Sequence, residues 1–273
     1  MAESGTLAIE RIRAALSGRR VGRRIVYCPT TTSTNDEAWR RIDDGSADGS
    51  VVLAEHQSAG RGRMGRSWNS PRGASALLSV ALLDSAGGWT GGELGVLAAL
   101  AACEGIFEAS GVAAQIKWPN DLRVDRRKLG GVLVESRRGE GSSYAHVIGV
   151  GVNCLQQRGH LRGDLAETAT SLEIESDRPI DRTGVAIALL QALDRWLGVN
   201  PDKRRSALRE AWSMRCEPMG SRVRVRHRGA VHVGTLVDID PHSALIVELE
   251  SGGRRAFEAA NSTILEHDGA TST

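Results

Sequence analysis

Apolar positions along the chain sort into two rhythms. Over residues 6–17, Leu7, Ile12 and Leu16 fall on one side of a short amphipathic helix. An arginine-rich stretch (Arg19, Arg20, Arg23, Arg24) leads to a strand over 25–28, ended by Pro29. Ser33-Thr34-Asn35-Asp36-Glu37 reads as a helix start: a capping residue, acidic residues in the first turn, then Ala38, Trp39 and Ile42 turned inward. Unbroken apolar runs predict buried strands over 51–54 and 76–83. Residues 92–110 carry a long helical pattern, with Leu94, Leu97, Ala98, Ala101 and Ile106 on one side. Short strands follow at 116–118, 131–135 and 146–152, and then two helices at 182–198 and 202–215.

The texture changes near Gly220. Val223, Val225, Val231, Val233, Leu236, Val237, Ile239, Leu245, Ile246, Val247 and Leu249 form short runs split by polar turns, Asp240-Pro241-His242 among them. This predicts a small all-β barrel or sandwich of about 45 residues, with a closing turn over 261–265. The expected organisation is a large domain over 1–217, a small one over 218–267 and a disordered tail over 268–273.

Composition narrows the class. The formal net charge is +2, so no global field argues for nucleic acid or a membrane surface. Four scattered cysteines lack any C-x-x-C pair, which argues against a zinc site or disulfide framework and for reduced, mostly buried thiols. No secretory signal is evident at the N-terminus, and no apolar run is long enough for a membrane span. A cytoplasmic location is expected.

Five segments carry chemistry. In Gly60-Arg61-Gly62-Arg63-Met64-Gly65-Arg66-Ser67-Trp68, arginines alternate with glycines, which core packing does not call for. Glycines let a backbone approach a ligand closely, and arginine forks hold phosphate or carboxylate oxygens. Such a loop is expected to be mobile when empty and ordered by an anion. It formally matches the dinucleotide fingerprint G-x-G-x-x-G, but no helix can open at Ser67-Trp68-Asn69-Ser70-Pro71 to face a pyrophosphate.

Lys117-Trp118-Pro119-Asn120-Asp121 presents polar groups at the end of an apolar strand, and Asp121 can share Mg²⁺ with phosphate oxygens. Lys128, where a turn gives way to a strand beside Gly130 and Gly131, can reach both a carboxylate and an α-phosphate. Gly149-Val150-Gly151-Val152-Asn153 leaves room for a flat ring, and Asn153 suits an adenine edge. Thr32-Ser33-Thr34-Asn35 can bind a neutral polar head at a helix start. Taken singly, each also has an ordinary account: a solvated loop, a turn, a hairpin lysine, a helix cap. No Walker A sequence and no G-x-S-x-G elbow is present, which excludes a P-loop and leaves no evident covalent nucleophile.

In order and spacing, residues 30–155 resemble the biotin–protein ligase family. The matching pieces are Ser33-Thr34-Asn35, Glu55-His56-Gln57 running on through the arginine–glycine loop to Trp68, Lys117-Trp118-Pro119-Asn120-Asp121, Arg127-Lys128-Leu129-Gly130-Gly131 and Gly149 to Asn153. The resemblance implies an α/β (α+β) fold: a class II synthetase-like mixed-sheet catalytic domain and a small SH3-like β-barrel C-terminal domain. It implies a ligase that uses ATP to make biotinyl-5′-AMP and passes biotin to a lysine of a biotin carboxyl carrier protein. By position, Ser33, Thr34, Asn35, Gln57, Arg61, Gly62, Arg63, Lys128 and Gly131 would bind biotin. Arg61, Arg63, Arg66, Trp68, Lys117, Asn120 and Asn153 would bind ATP or the adenylate. Lys128, Arg63 and Asp121 would serve catalysis, with Asp121 on Mg²⁺.

About 24 residues precede Ile25, too few for the winged-helix domain that some members carry, so DNA binding is not expected. Sheet edges of such a domain can pair into a homodimer. The rivals are a lipoate–protein ligase, a regulator that has lost catalysis, and a nucleic-acid module built on alternating Arg222, Arg224, Arg226 and Arg228. The last lacks stacking aromatics: Phe257 stands alone in the β tail.

Overall fold

A computed structural model describes residues 6–45, 48–85, 88–141, 143–216, 219–240 and 244–267. In chain order, α1 (Ile9–Ala15) and β1 (Arg24–Cys28) lead to α2 (Thr34–Asp43) and β2 (Ser50–Ala54). A small hairpin, β3 (Gly60–Arg61) and β4 (Ser67–Trp68), precedes β5 (Ser75–Asp84) and the long α3 (Gly91–Ser110). Then come β6 (Gln115–Lys117), β7 (Asp121–Val124), β8 (Arg127–Arg138) and β9 (Tyr144–Asn153). Helices α4 (Leu165–Thr168), α5 (Leu172–Glu175), α6 (Arg182–Leu197) and α7 (Pro201–Ser213) follow. Strands β10 (Arg222–His227), β11 (Ala230–Asp240), β12 (Ala244–Leu249), β13 (Arg254–Glu258) and β14 (Ser262–His267) complete the chain.

Seven strands form one mixed sheet in the order β1-β2-β5-β9-β8-β7-β6, with β1 and β2 parallel and the remaining pairs antiparallel. Alternation along β9 divides its faces. Val147, with Ala145 beside it, packs with Ala38, Trp39 and Val52, on the side covered by α2. Ile148, Val150 and Val152 join the main core under α3 and α6. Helix α3 begins at a capping box of Thr90 with Glu93 and ends at left-handed Gly111, so its limits follow from local chemistry.

The five C-terminal strands form a second, antiparallel sheet in the order β13-β12-β11-β10-β14. This separate antiparallel unit is the small all-β module expected of the C-terminal segment, and no closed barrel is formed among the described residues. The segment expected as a closing turn is mostly strand β14. Val223, Val225, Leu236, Leu245, Val247, Phe257 and Ile264 belong to the same core cluster as the large sheet. Arg209 of α7 grips Asp238 of β11 with two nitrogens. The expected boundary at 217/218, the Pro241-His242 part of the turn and the tail over 268–273 lie outside the described residues.

The other elements read from the apolar pattern stand with small shifts at their ends. Leu7, Ile12 and Leu16 are buried, Ser33 caps α2 and all four cysteines are free thiols. No helix among the described residues is long and apolar enough to cross a membrane. Strand β7 is not foreseen by the sequence pattern. The turn between it and β8 is made by Asp125 and Arg126, both at positive φ (45° and 67°), without the glycine that usually marks such a turn.

A buried ion pair ties the layers together. Arg182, at the start of α6, donates to Glu55 Oε2 and to the Ser75 carbonyl. Glu55 Oε1 accepts from the Leu7 amide at 2.9 Å and from Tyr27 Oη at 3.2 Å. The N-terminal segment, β1, β5 and α6 therefore meet at this one ion pair, just ahead of Gln57. Removing one partner leaves an uncompensated buried charge. Arg182→Ala is expected to cost about 3–5 kcal/mol, read as a lower denaturant midpoint with an unchanged m-value.

Candidate active site

The site is built at the end of the large sheet where α2, the β3–β4 hairpin, β8 and β9 meet. Ser33 Oγ accepts the Asn35 amide at 3.3 Å and so fixes the first turn of α2. Thr34 then donates its amide (2.7 Å) and its hydroxyl (3.0 Å) to Gln57 Oε1. Ser79 Oγ lies 2.7 Å from both Thr34 Oγ1 and Asn35 Oδ1. These groups are neutral, and Ser33, Thr34 and Asn35 are buried. They form one end of a cavity of about 160 Å³.

The other end is cationic. Lys128 Nζ lies 2.6 Å from Asp121 Oδ1 and 5.9 Å from the centre of the Trp68 ring. Arg63, Arg66 and Lys117 line the same space, with Asn120 and Gly131. Burial pushes the Arg63 guanidinium below its ordinary range, Asp121 opposes that, and Arg66 adds repulsion. Positive groups gathered in this way favour an anionic ligand.

Two glycines make the space. A Cβ on Gly149 would sit 2.2 Å from Asn35 Oδ1, and one on Gly151 would sit 2.9 Å from Trp68 Cε2. The hairpin closes over this floor: Gly60 pairs with Trp68 and Arg61 with Ser67, and the Gly62 amide donates to the Arg66 carbonyl at 2.7 Å. No α-helix opens at these glycines, only a single 3-10 turn through left-handed Met64 (φ 56°), so the dinucleotide-fingerprint match carries no Rossmann turn.

The structure gathers Ser33, Thr34, Asn35, Gln57, Arg61, Gly62, Arg63, Arg66, Trp68, Lys117, Asn120, Asp121, Lys128 and Gly131 around this one cavity. Asn153 stands apart from that set. It is buried, its Nδ2 donates to the Thr170 carbonyl at 3.0 Å, and its Oδ1 accepts from Gln156 at 3.0 Å. Both ends of its amide have partners within the protein, and the geometry of the cavity lends no support to the adenine contact expected of it.

Arg61 has carboxylate partners of its own. It lines the cavity, and its guanidinium is paired with Asp36 and Glu135. The loop expected to be mobile when empty is thus tied by ion pairs of its own, and at its tip Arg63 donates to Asn120 Oδ1 (3.4 Å) and to the Ala259 carbonyl (2.5 Å).

Sequence reasoning misses four contributors. Ser79 has a signal, a lone hydroxyl in the apolar run of β5. Thr170 has none: its amide donates to the Lys128 carbonyl at 2.9 Å and braces that strand from a segment with no periodic pattern. Ala259 and Thr263 come from the C-terminal sheet, and Thr263 lines the cavity. Among the described residues no group of three or more His, Cys, Asp or Glu side chains is placed to hold a metal.

Comparison with known proteins agrees with this geometry. Residues 27–153 match the model of the biotin/lipoate A/B protein ligase family. A biotin–[acetyl-CoA-carboxylase] ligase of Paracoccus denitrificans is 33% identical over 235 residues, 84% of this chain and 96% of its own. One from Mycobacterium tuberculosis is 34% identical over 245 residues, 86% of each chain. The bifunctional ligase/repressor BirA of Bacillus subtilis is 29% identical over 255 residues, 93% of this chain and 78% of its own. In fold, the chain is similar to a biotin protein ligase from Aquifex aeolicus in complex with biotin and ATP. That likeness has a TM-score of 0.72 at 20% identity and covers 90% of this chain and 100% of the other. With a neutral, hydroxyl-lined pocket at one end of the cleft, cations at the other, and relatives of this identity along most of its length, the chain belongs to the biotin–protein ligase family.

Proposed function

We propose that the chain activates biotin with ATP to biotinyl-5′-AMP and transfers the biotinyl group to a lysine of a biotin carboxyl carrier protein. One observation carries this reading: a cavity that is neutral and hydrogen-bonding at one end and cationic at the other. A ureido ring suits the first end and a carboxylate meeting an α-phosphate suits the second. The relatives named as biotin ligases support it, as does the fold neighbour with biotin and ATP.

In the first step a biotin carboxylate oxygen bonds to the α-phosphorus, and the bond to pyrophosphate breaks. Two anions must meet, and Arg63, Arg66 and Lys128 offset their repulsion at the cationic end. In the second step a carrier lysine amine attacks the acyl carbon, AMP leaves and the amine loses a proton. Trp68 and the hairpin cover the mixed anhydride and keep water away. Magnesium belongs to the same reading. Asp121 Oδ1 pairs with Lys128, which leaves Oδ2 for a cation otherwise held by phosphate oxygens, a donor set that suits Mg²⁺. Bound there, the ion would neutralise phosphate charge. A cytoplasmic location and a homodimer through a sheet edge, such as β1, complete the proposal.

Biotin-dependent exchange between ATP and pyrophosphate is expected with Mg²⁺ and is expected to be lost on chelation. Biotin should raise the melting temperature and lipoate should not; stabilisation by lipoate alone would favour a lipoate ligase. Lys128→Ala is expected to lower exchange by about 100-fold or more with an unchanged far-UV spectrum. Near-wild-type exchange in that variant removes Lys128 from the first step. Arg63→Gly is expected to release biotinyl-AMP into solution, measured by separating free adenylate during turnover. Retention equal to wild type contradicts a role for Arg63 as a clamp.

A further inference from the structure

Arg61 is held at the root of the hairpin by two carboxylates. Its Nη1 lies 2.9 Å from Asp36 Oδ2 and its Nη2 lies 2.7 Å from Asp36 Oδ1, a two-point fork. The same Nη2 lies 3.2 Å from Glu135 Oε1. Glu135 is itself fixed, because its Oε2 accepts the Trp39 indole N–H at 2.8 Å. Asp36 stands in the first turn of α2, next to the cavity-lining Ser33, Thr34 and Asn35; Glu135 stands on β8, two residues beyond cavity-lining Leu133. The guanidinium therefore joins the hairpin root to both walls of the neutral end. Its charge is already balanced without any phosphate. Asp36 is held below the usual carboxylate range by its bond to Arg61, against the opposing effect of burial.

The tip of the hairpin is different. Met64 is 73% exposed and the cavity-lining cations there are Arg63 and Arg66. The loop thus has a root fixed by carboxylates and a tip that carries the cations facing the cleft.

We propose that Asp36 and Glu135 are positioning residues: by holding Arg61 they seat the hairpin root over the hydroxyl-lined end before nucleotide arrives. Biotin is then retained by a root that is already closed, and gripping the phosphate falls to Arg63 and Arg66. The inference rests on the ligase reading above.

The test is the isosteric double variant Asp36→Asn with Glu135→Gln. It removes both charges, while the amide oxygen introduced at position 135 can still accept from Trp39. Ligand-free protein is treated with trypsin and the fragments are weighed. Cleavage after Arg61 is expected to rise about three- to tenfold, as two partly exposed ion pairs allow, with little change after Arg66. Biotin dissociation is expected to quicken by a similar factor, while exchange at saturating biotin stays within about twofold. Should the variant fold poorly, wild type in about 1 M salt is expected to show the same faster biotin release through screening. Unchanged cleavage after Arg61, or unchanged biotin release in either arm, overturns the proposal. A drop in exchange with unchanged biotin release also overturns it, since the pair would then act on the nucleotide. If biotin fails to bind wild type at all, the ligase reading falls, and cleavage after Arg61 still decides whether the carboxylates hold the root.

Discussion

Strand β9 carries no side chain at positions 149 and 151, and the cleft exists because of it. A Cβ at either position would strike the layer above, since Asn35 and Trp68 come down onto the sheet itself. The first contact seats the start of α2, and with it the hydroxyls and amide that close one end of the cavity. The second sets the hairpin over the other. A strand that gives up packing at two positions would ordinarily be weakened. Here β9 is flanked by β5 and β8 along its whole length, so the ladder offsets what the missing side chains do not contribute.

Charge is arranged along the cleft by the same architecture. The polar groups near α2 satisfy one another through Gln57 and Ser79, which lets them be buried without a counter-ion. The cations gather where β6, β7 and β8 turn, and Asp121 answers Lys128 directly. Arg61, which belongs to the loop by sequence, is drawn by carboxylates toward the neutral end. Position in a motif therefore does not fix a side chain's task. Two arginines separated by a single glycine face different partners, one at the root of a hairpin and one at its tip.

Much of this is legible in the sequence. The alternation of glycine and arginine, the placement of Lys128 beside paired glycines and the cap at Ser33 each have a local cause, and the structure brings them to one place. What escapes is set by distant contacts. Strand β7 is hidden because Asp125 and Arg126 adopt a left-handed turn without glycine. Asn153 looks open at a strand end, yet Thr170 and Gln156, from a stretch with no periodic pattern, occupy both ends of its amide. The C-terminal strands are legible as a small β unit, but alternation of apolar residues does not tell a barrel from an open sheet. The reach of this unit into the cavity through Thr263 has no trace in the sequence of either segment.

That reach has a consequence for how the protein is made. Arg63 rests on the carbonyl of Ala259, and Thr263 supplies part of the cavity wall. Synthesis runs from the N-terminus, so the arginine–glycine segment emerges from the ribosome long before its support exists. A nascent chain can pair the strands of its large sheet early, yet its cleft stays unwalled on one side until translation has passed residue 263. Competence to hold a reactive intermediate is thereby deferred to nearly the last residues described.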